Sequence, residues 1–186
     1  MSTMTLLATM VVANALAGTR LPELRGDFLS GRACVLPDAA RGQVALLAMG
    51  FSYDSRYAVE AWTARFRKDF GARPGVTFFE VPMIGGMARL GRWFIDRGMR
   101  QGTPRQDYEH VVTVYGDPSE WKRRVAFTDS RHAYLVLLDR EGVVRWSGSG
   151  SFDEDRYHEL FTAVEALAAD TEKGAEKGAK KDPALN

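Results

Sequence analysis

Sulfur supplies this chain with a single nucleophile: Cys34 is the sole cysteine in 186 residues. One cysteine excludes an intrachain disulfide, a CxxC redox pair and a thiolate zinc cage within one chain. Cys34 could still serve as a lone peroxidatic or resolving thiol. It lies, however, in Arg32-Ala-Cys-Val-Leu36, inside an expected hairpin strand and far in sequence from a helix N-terminus that could activate it. A small packing residue is the stronger reading. His110, His132 and His158 fall on separate elements, and without sulfur partners a soft-metal site cannot form around His132. Ser52, Asp54 and Ser55 offer hydroxyls beside a carboxylate, but no Gly-x-Ser-x-Gly elbow presents a serine to a base. Gly85-Gly86-Met87 precedes a helix and could cradle an anion, yet it lacks the further glycines or Lys-Ser/Thr of a nucleotide loop. No catalytic set, metal or cofactor is implied.

Composition narrows the partners. Lys plus Arg is 25 and Asp plus Glu is 24, so the formal net charge is 25 − 24 = +1. A nucleic-acid partner would want a clearly basic domain, so it is not expected. With 45% hydrophobic and 26% charged residues, the chain has the profile of one globular domain.

The two ends differ from the middle. Met1 to Ala17 is apolar and small, has no charge before Arg20, and finishes Ala15-Leu16-Ala17. That is the pattern of a secretory h-region and its cleavage site, and it is too short to span a bilayer comfortably. Residues 1–19 are therefore expected as a signal-like segment on an exported or periplasmic protein. The alternative is an N-terminal helix packed on a cytoplasmic or organelle-matrix protein. Residues 169–186 form a Lys/Glu/Gly/Ala tract with almost nothing to bury, expected as a disordered tail. The domain proper is then 20–168.

Within it, Leu21 to Pro37, broken by Gly26 and Gly31, suggests a β-hairpin. Val44 to Met49 is a continuous apolar run, as in a strand covered on both faces. Val59, Trp62, Phe66 and Phe70 recur at helical spacing and stop at Gly71; Val76 to Val81 returns to strand. Met87, Leu90, Phe94 and Ile95 then pattern a second helix, and His110 to Tyr115 a third central strand. Asp117-Pro-Ser-Glu120 starts a short helix. Ala133 to Leu138, Asp139-Arg-Glu-Gly142 and Val143 to Trp146 form a hairpin. Ser151-Phe-Asp-Glu154 has the form of a capping box, opening a last helix buried through Tyr157, Leu160, Phe161, Val164 and Leu167. The βαβ crossovers demand parallel strands and the closing hairpin adds an antiparallel edge, giving a three-layer α/β sandwich with a mixed central sheet.

This order, closing on Tyr134-Leu-Val-Leu-Leu-Asp-Arg-Glu-Gly-Val-Val-Arg-Trp146, resembles the thioredoxin-like superfold in its peroxiredoxin-type form, from about Leu21 to Leu167. Redox members of that superfold carry a reactive cysteine in the turn after the first central strand, at a helix N-terminus that lowers the thiol pKa. They also place a cis-proline beside it. Here the turn is Gly50-Phe-Ser-Tyr-Asp-Ser-Arg56, and Ser52, Ser55 and Ala133 stand at the degenerate positions. Within the superfold the chain is similar to the mitochondrial ATP synthase assembly-factor family. The likeness rests on the cysteine-free turn, the helix carrying Trp62 and Phe66, and Val144-Arg145-Trp146 followed by glycines at 148 and 150. The resemblance implies a chaperone-like module that binds a membrane-sector subunit without turning over a substrate.

The expected working surface combines two segments. Phe51, Tyr53, Asp54 and Arg56 come from the turn; Met83, Met87, Arg89 and Trp93 follow the next strand, near the carboxyl edge where α/β folds place their sites. Methionines with aromatic anchors suit a protein client, although both sets could equally roof the core. The arginines at 89, 92, 97 and 100 beside Trp93 and Met99 form a basic-aromatic stripe suited to peripheral membrane contact or an acidic partner loop. The expected function is a redox-inactive binding or assembly module. The alternatives are a thiol peroxidase-type enzyme using Cys34 and a small-ligand or metal carrier. Oligomeric state is left open.

Overall fold

The computed structural model describes residues 16–86 and 89–179, with the side chains at 89, 90 and 170–179 outside that description. The continuous apolar run becomes β3 (Val44–Gly50), buried at every residue. β4 (Val76–Ile84) lies parallel to it on one side, and β6 (Ala133–Leu138) lies antiparallel on the other. β5 (Val112–Tyr115) continues the parallel set beside β4. The hairpin of β1 (Leu24–Phe28) and β2 (Ala33–Leu36) pairs through β1 with β5, and β7 (Val144–Gly150) pairs with β6. One seven-stranded mixed sheet results, in the order β2-β1-β5-β4-β3-β6-β7. The expected hairpin, parallel crossovers and antiparallel edge are all present.

Strand alternation sorts the core onto two faces. Val44, Leu46, Ala48, Leu135 and Leu137 meet α1 (Arg56–Phe70) and α4 (Glu154–Ala179). Ala45, Leu47, Met49, Tyr134 and Val136 meet Leu16, Trp121 and Val125, the last two from α3 (Ser119–Arg124) and its C-terminal end. The fourth helix, α2 (Arg89–Gly102), links β4 to β5. Trp62 is fully buried under the first face, where its indole N–H donates to the Gly150 carbonyl at 3.3 Å and its ring packs on Phe152 and Tyr157.

The closing hairpin explains its own sequence. Buried Asp139 accepts from the Glu141 and Val143 amides at 3.0 and 2.9 Å and from Arg145 Nε at 2.6 Å. These donors hold its carboxyl below the ordinary range against the opposing effect of burial. Gly142 has φ +79, and a Cβ there would meet the Pro37 ring at 2.7 Å, so the turn requires glycine.

Four expectations change. Phe94, patterned as inward-facing, is 67% exposed. α4 is capped by Asp153, whose carboxylate accepts the Arg156 amide at 2.9 Å, rather than by Ser151, which directly follows β7. The packed unit begins before residue 20: Leu16 is 1% exposed, and Gly18 and Thr19 hydrogen-bond to Val144. Cleavage after Ala17 would remove this core leucine; the rest of the signal-like segment, 1–15, lies outside the described residues. Finally, α4 continues as backbone to Ala179 into the expected tail, consistent with the helix propensity of Ala, Glu and Lys, and 180–186 lie outside the described residues.

Strand alternation also turns Glu80 of β4 toward α1, where Thr63 Oγ1 lies 2.7 Å from its carboxyl oxygen. Burial is the main cause of a raised Glu80 pKa, only partly offset by that hydrogen bond and by Arg67. A carboxyl raised in the folded state favours folding below its unfolded value of about 4.3, and that contribution is lost as pH rises through the folded value. Glu80→Gln is therefore expected to raise the denaturant midpoint at neutral pH and to flatten its decline with pH. Urea titrations of both proteins across the acidic-to-neutral range check this.

Candidate functional site

β3 ends at Gly50, which is in register with Ala133 of β6, so the turn from 51 to 55 sits beside the start of that strand. A Cβ at Gly50 would stand 2.5 Å from Ser55 Oγ, and the approach is open only to glycine. Beyond it, two serines lock the turn reciprocally. Ser55, 1% exposed, donates to the Ser52 carbonyl at 2.7 Å and accepts the Ser52 amide at 3.3 Å. Ser52 Oγ accepts the Ser55 amide at 3.2 Å and donates to the Ser130 carbonyl at 2.5 Å. The two therefore stand in a Ser-x-x-Ser spacing, with both hydroxyl protons given to backbone carbonyls rather than to a base. Neither hydroxyl is hydrogen-bonded to a histidine or a carboxylate; both hold the turn.

The facing loop, 128–132, is held by a buried tyrosine that the sequence did not single out. Tyr134 Oη accepts the Thr128 and Asp129 amides at 2.8 and 2.9 Å and donates to the Asp129 carbonyl at 3.0 Å. Asp129 in turn takes the Arg131 amide, Nε and Nη2, which hold its carboxyl well below the ordinary range. Tyr134→Phe removes three hydrogen bonds without changing ring packing. It is expected to cost about 1–3 kcal/mol and to speed hydrogen exchange at the Thr128 and Asp129 amides, as read by NMR.

Above this frame stands an exposed stack. The Arg56 guanidinium lies 3.5 Å from the Tyr53 ring centroid and 4.1 Å from that of Tyr57. It also donates to the Tyr53 carbonyl at 3.1 Å and to the Tyr57 hydroxyl. Tyr53 and Tyr57 are 78% and 63% exposed. Asp54, also exposed, acts electrostatically on Arg131 across the gap. Tyr57 was missed as a site residue, though a signal existed: it falls off the Val59/Trp62/Phe66/Phe70 stripe that faces the core.

The other expected members separate. Phe51 is buried, packed edge-on against Phe127 and Tyr134 at 5.4 Å each, so it roofs the core and presents nothing to a partner here. Met83 is 4% exposed in the same cluster, beneath a cavity of about 160 Å³ lined by Leu24, Ile84, Tyr115 and Trp121 among others. Met87 lies outside the described residues; Arg89 opens α2, its side chain likewise undescribed. Trp93 is exposed on α2, a different helix from the Tyr53 stack. Of the expected surface residues whose side chains are described, Tyr53, Asp54 and Trp93 are exposed, while Phe51 and Met83 are buried.

Cys34 is remote from the turn and buried. It lies in β2 opposite Gly26, four strands from β3 in the sheet order, and is 3% exposed. Burial pushes its thiol up to about 11, outweighing the nearby Arg32. At neutral pH the thiolate is then on the order of one part in ten thousand. The cis Leu36–Pro37 bond at the end of β2 lies against the Gly142 turn, at the opposite end of β6 from Ala133. Among the described residues, no group of three or more His, Cys, Asp or Glu side chains could hold a metal; His132 has Asp129 at 4.0 Å.

Neither the protein-family models nor the curated proteins yield a match to this sequence. Solved structures do. A candidate thiol:disulfide interchange protein, DsbE, from Chlorobium tepidum aligns at TM-score 0.56 and 18% identity, over 82% of this chain and 97% of that one. The exposed lipoprotein thioredoxin of Streptococcus pneumoniae aligns at 0.53 and 15%, over 77% and 99%. BsSco, a member of the Sco family of cytochrome c oxidase assembly proteins, aligns at 0.54 and 11%, over 81% and 94%. At these identities the likeness is one of fold, and it agrees with the strand order above. The chain has a thioredoxin-like fold with a single cysteine and no CxxC motif.

Proposed function

We propose that this protein is a redox-inactive, thioredoxin-like binding module that holds a protein client against the Tyr53–Arg56–Tyr57 stack. The observation carrying the reading is that stack itself: two exposed rings clamp a cation above a turn whose serines are wholly engaged in holding it. Large, rigid aromatics and arginine are the residue types that dominate protein recognition, and here they are pre-organised. The remote, buried Cys34 removes the competing thiol chemistry from this position.

The finer reading is a chaperone-like role in assembling a membrane complex, in an exported or periplasmic setting. It is supported by the resemblance to ATP synthase assembly factors and by the apolar, signal-like sequence of residues 1–15, ahead of the packed Leu16. The fold shared with an assembly protein of the Sco family and with an exposed lipoprotein thioredoxin is compatible with it.

Site-specific photo-cross-linking tests the proposal. With benzoylphenylalanine in place of Tyr53 in the native host, illumination is expected to give one dominant adduct with a membrane-complex subunit. The same probe at Glu141, at the turn joining β6 to β7, should not. Identical adducts from both positions would refute a dedicated surface at the stack.

A further inference from the structure

Helix α2 is held unlike the other long helices. α1 buries Trp62, Phe66 and Phe70, and α4 buries Tyr157, Leu160 and Val164. Between Gly91 and Gly102, α2 has no fully buried residue. Its described hydrogen bonds to the body are polar struts. The Tyr115 hydroxyl donates to Asp96 Oδ1 at 2.5 Å, Arg100 Nε donates to the Leu29 carbonyl at 2.7 Å, and the Tyr108 hydroxyl donates to the Arg100 carbonyl at 3.0 Å.

What α2 shows outward is apolar and basic together. Trp93 and Phe94 are 55% and 67% exposed and pack edge to face at 4.8 Å. The helix carries Arg89, Arg92, Arg97 and Arg100 against Asp96, a local balance of 4 − 1 = +3 in a chain whose total is +1. Elsewhere Arg20, Arg32, Arg65 and Arg124 pair with carboxylates, while the exposed Arg105, Arg123 and Arg156 have no ion-pair partner among the described residues. Among the described residues Arg92 and Arg97 have no ion-pair partner; their guanidinium groups lie over Tyr115 and Trp93, at 4.6 and 5.4 Å from the ring centroids. Cations lacking protein counter-ions, beside an unburied Trp-Phe pair, form the composition of a helix that lies in a headgroup layer. Guanidinium groups held over two different rings, Tyr115 and Trp93, suit a plane of phosphates better than a single acidic side chain. No described helix is long and apolar enough to cross a membrane, so this contact is at the surface.

We propose that α2 docks on an anionic lipid bilayer, Trp93 and Phe94 entering the boundary between headgroups and acyl chains while Arg92 and Arg97 pair with lipid phosphates. The proposal is independent of the client surface. Its test is flotation of the full chain with vesicles of phosphatidylcholine alone or mixed with phosphatidylglycerol. The wild type should float with the mixed vesicles only, less so as salt rises. Trp93→Ala/Phe94→Ala and Arg92→Gln/Arg97→Gln should each weaken binding by about tenfold or more, with unchanged melting temperatures because all four residues are exposed. Failure of the wild type to float with anionic vesicles would overturn the proposal. So would full binding by the Trp-Phe variant, which would leave only non-specific charge attraction. Salt-sensitive binding to poly-glutamate in place of vesicles would assign the surface to an acidic protein and overturn it equally.

Discussion

Trp62→Ala is expected to lower stability by about 3–5 kcal/mol, the range for removing a fully buried large aromatic. For a chain of this length that corresponds to a melting temperature lower by roughly 10 °C. The size follows from what the ring joins. Trp62 has no exposed surface, bonds to the Gly150 carbonyl at the end of β7, and packs against Phe152 and Tyr157 at the start of α4. Its loss therefore opens a cavity where α1, β7 and α4 meet and leaves a carbonyl without its donor. Trp62→Phe keeps part of the ring volume and loses the hydrogen bond, so it should fall between wild type and alanine. Calorimetry on the three proteins orders them; equal melting temperatures would contradict the packing described.

The second large effect concerns binding. Replacing Tyr53, Arg56 and Tyr57 together by alanine should weaken client binding by about tenfold or more, because the three residues form the exposed stack and act as a unit. The folded body should be little affected: both tyrosines are exposed, and the turn beneath is held by Ser52, Ser55 and the Ser130 carbonyl. Affinity for the subunit identified by cross-linking, measured alongside a melting curve, separates the two effects. A Phe51→Ala variant should do the reverse, weakening the core where Phe127 and Tyr134 pack on it.

The architecture was legible because burial leaves a strong mark on sequence. A strand covered on both faces must be apolar throughout, as β3 is, and a buried helix stripe must recur every three or four residues, as in α1. The closing hairpin was legible from Asp139 and Gly142, whose roles are local. The site was less so. Nothing in the order Phe51-Ser-Tyr53 says which aromatic turns inward; the core left room beside Tyr134 and Phe127 for the first. Phe94 matched an inward pattern, yet it is exposed, and α2 is tied to the body by hydrogen bonds from Tyr115 and Tyr108 and to the Leu29 carbonyl. Tyr134 looked like one more apolar strand position, and only the tertiary fold puts its hydroxyl against the loop that faces the turn. Contacts between residues distant in sequence leave no period to read.

We propose that binding, not thiol chemistry, is the work of this domain. The most direct measurement compares cross-linking from position 53 in chains with and without Cys34→Ser. The same adduct is expected at the same yield, insensitive to reductant, since Cys34 is buried four strands away with its thiol protonated. Loss of the adduct in Cys34→Ser, in a chain that still melts normally, or a client released by dithiothreitol, would show that the sulfur takes part and overturn the binding-only role.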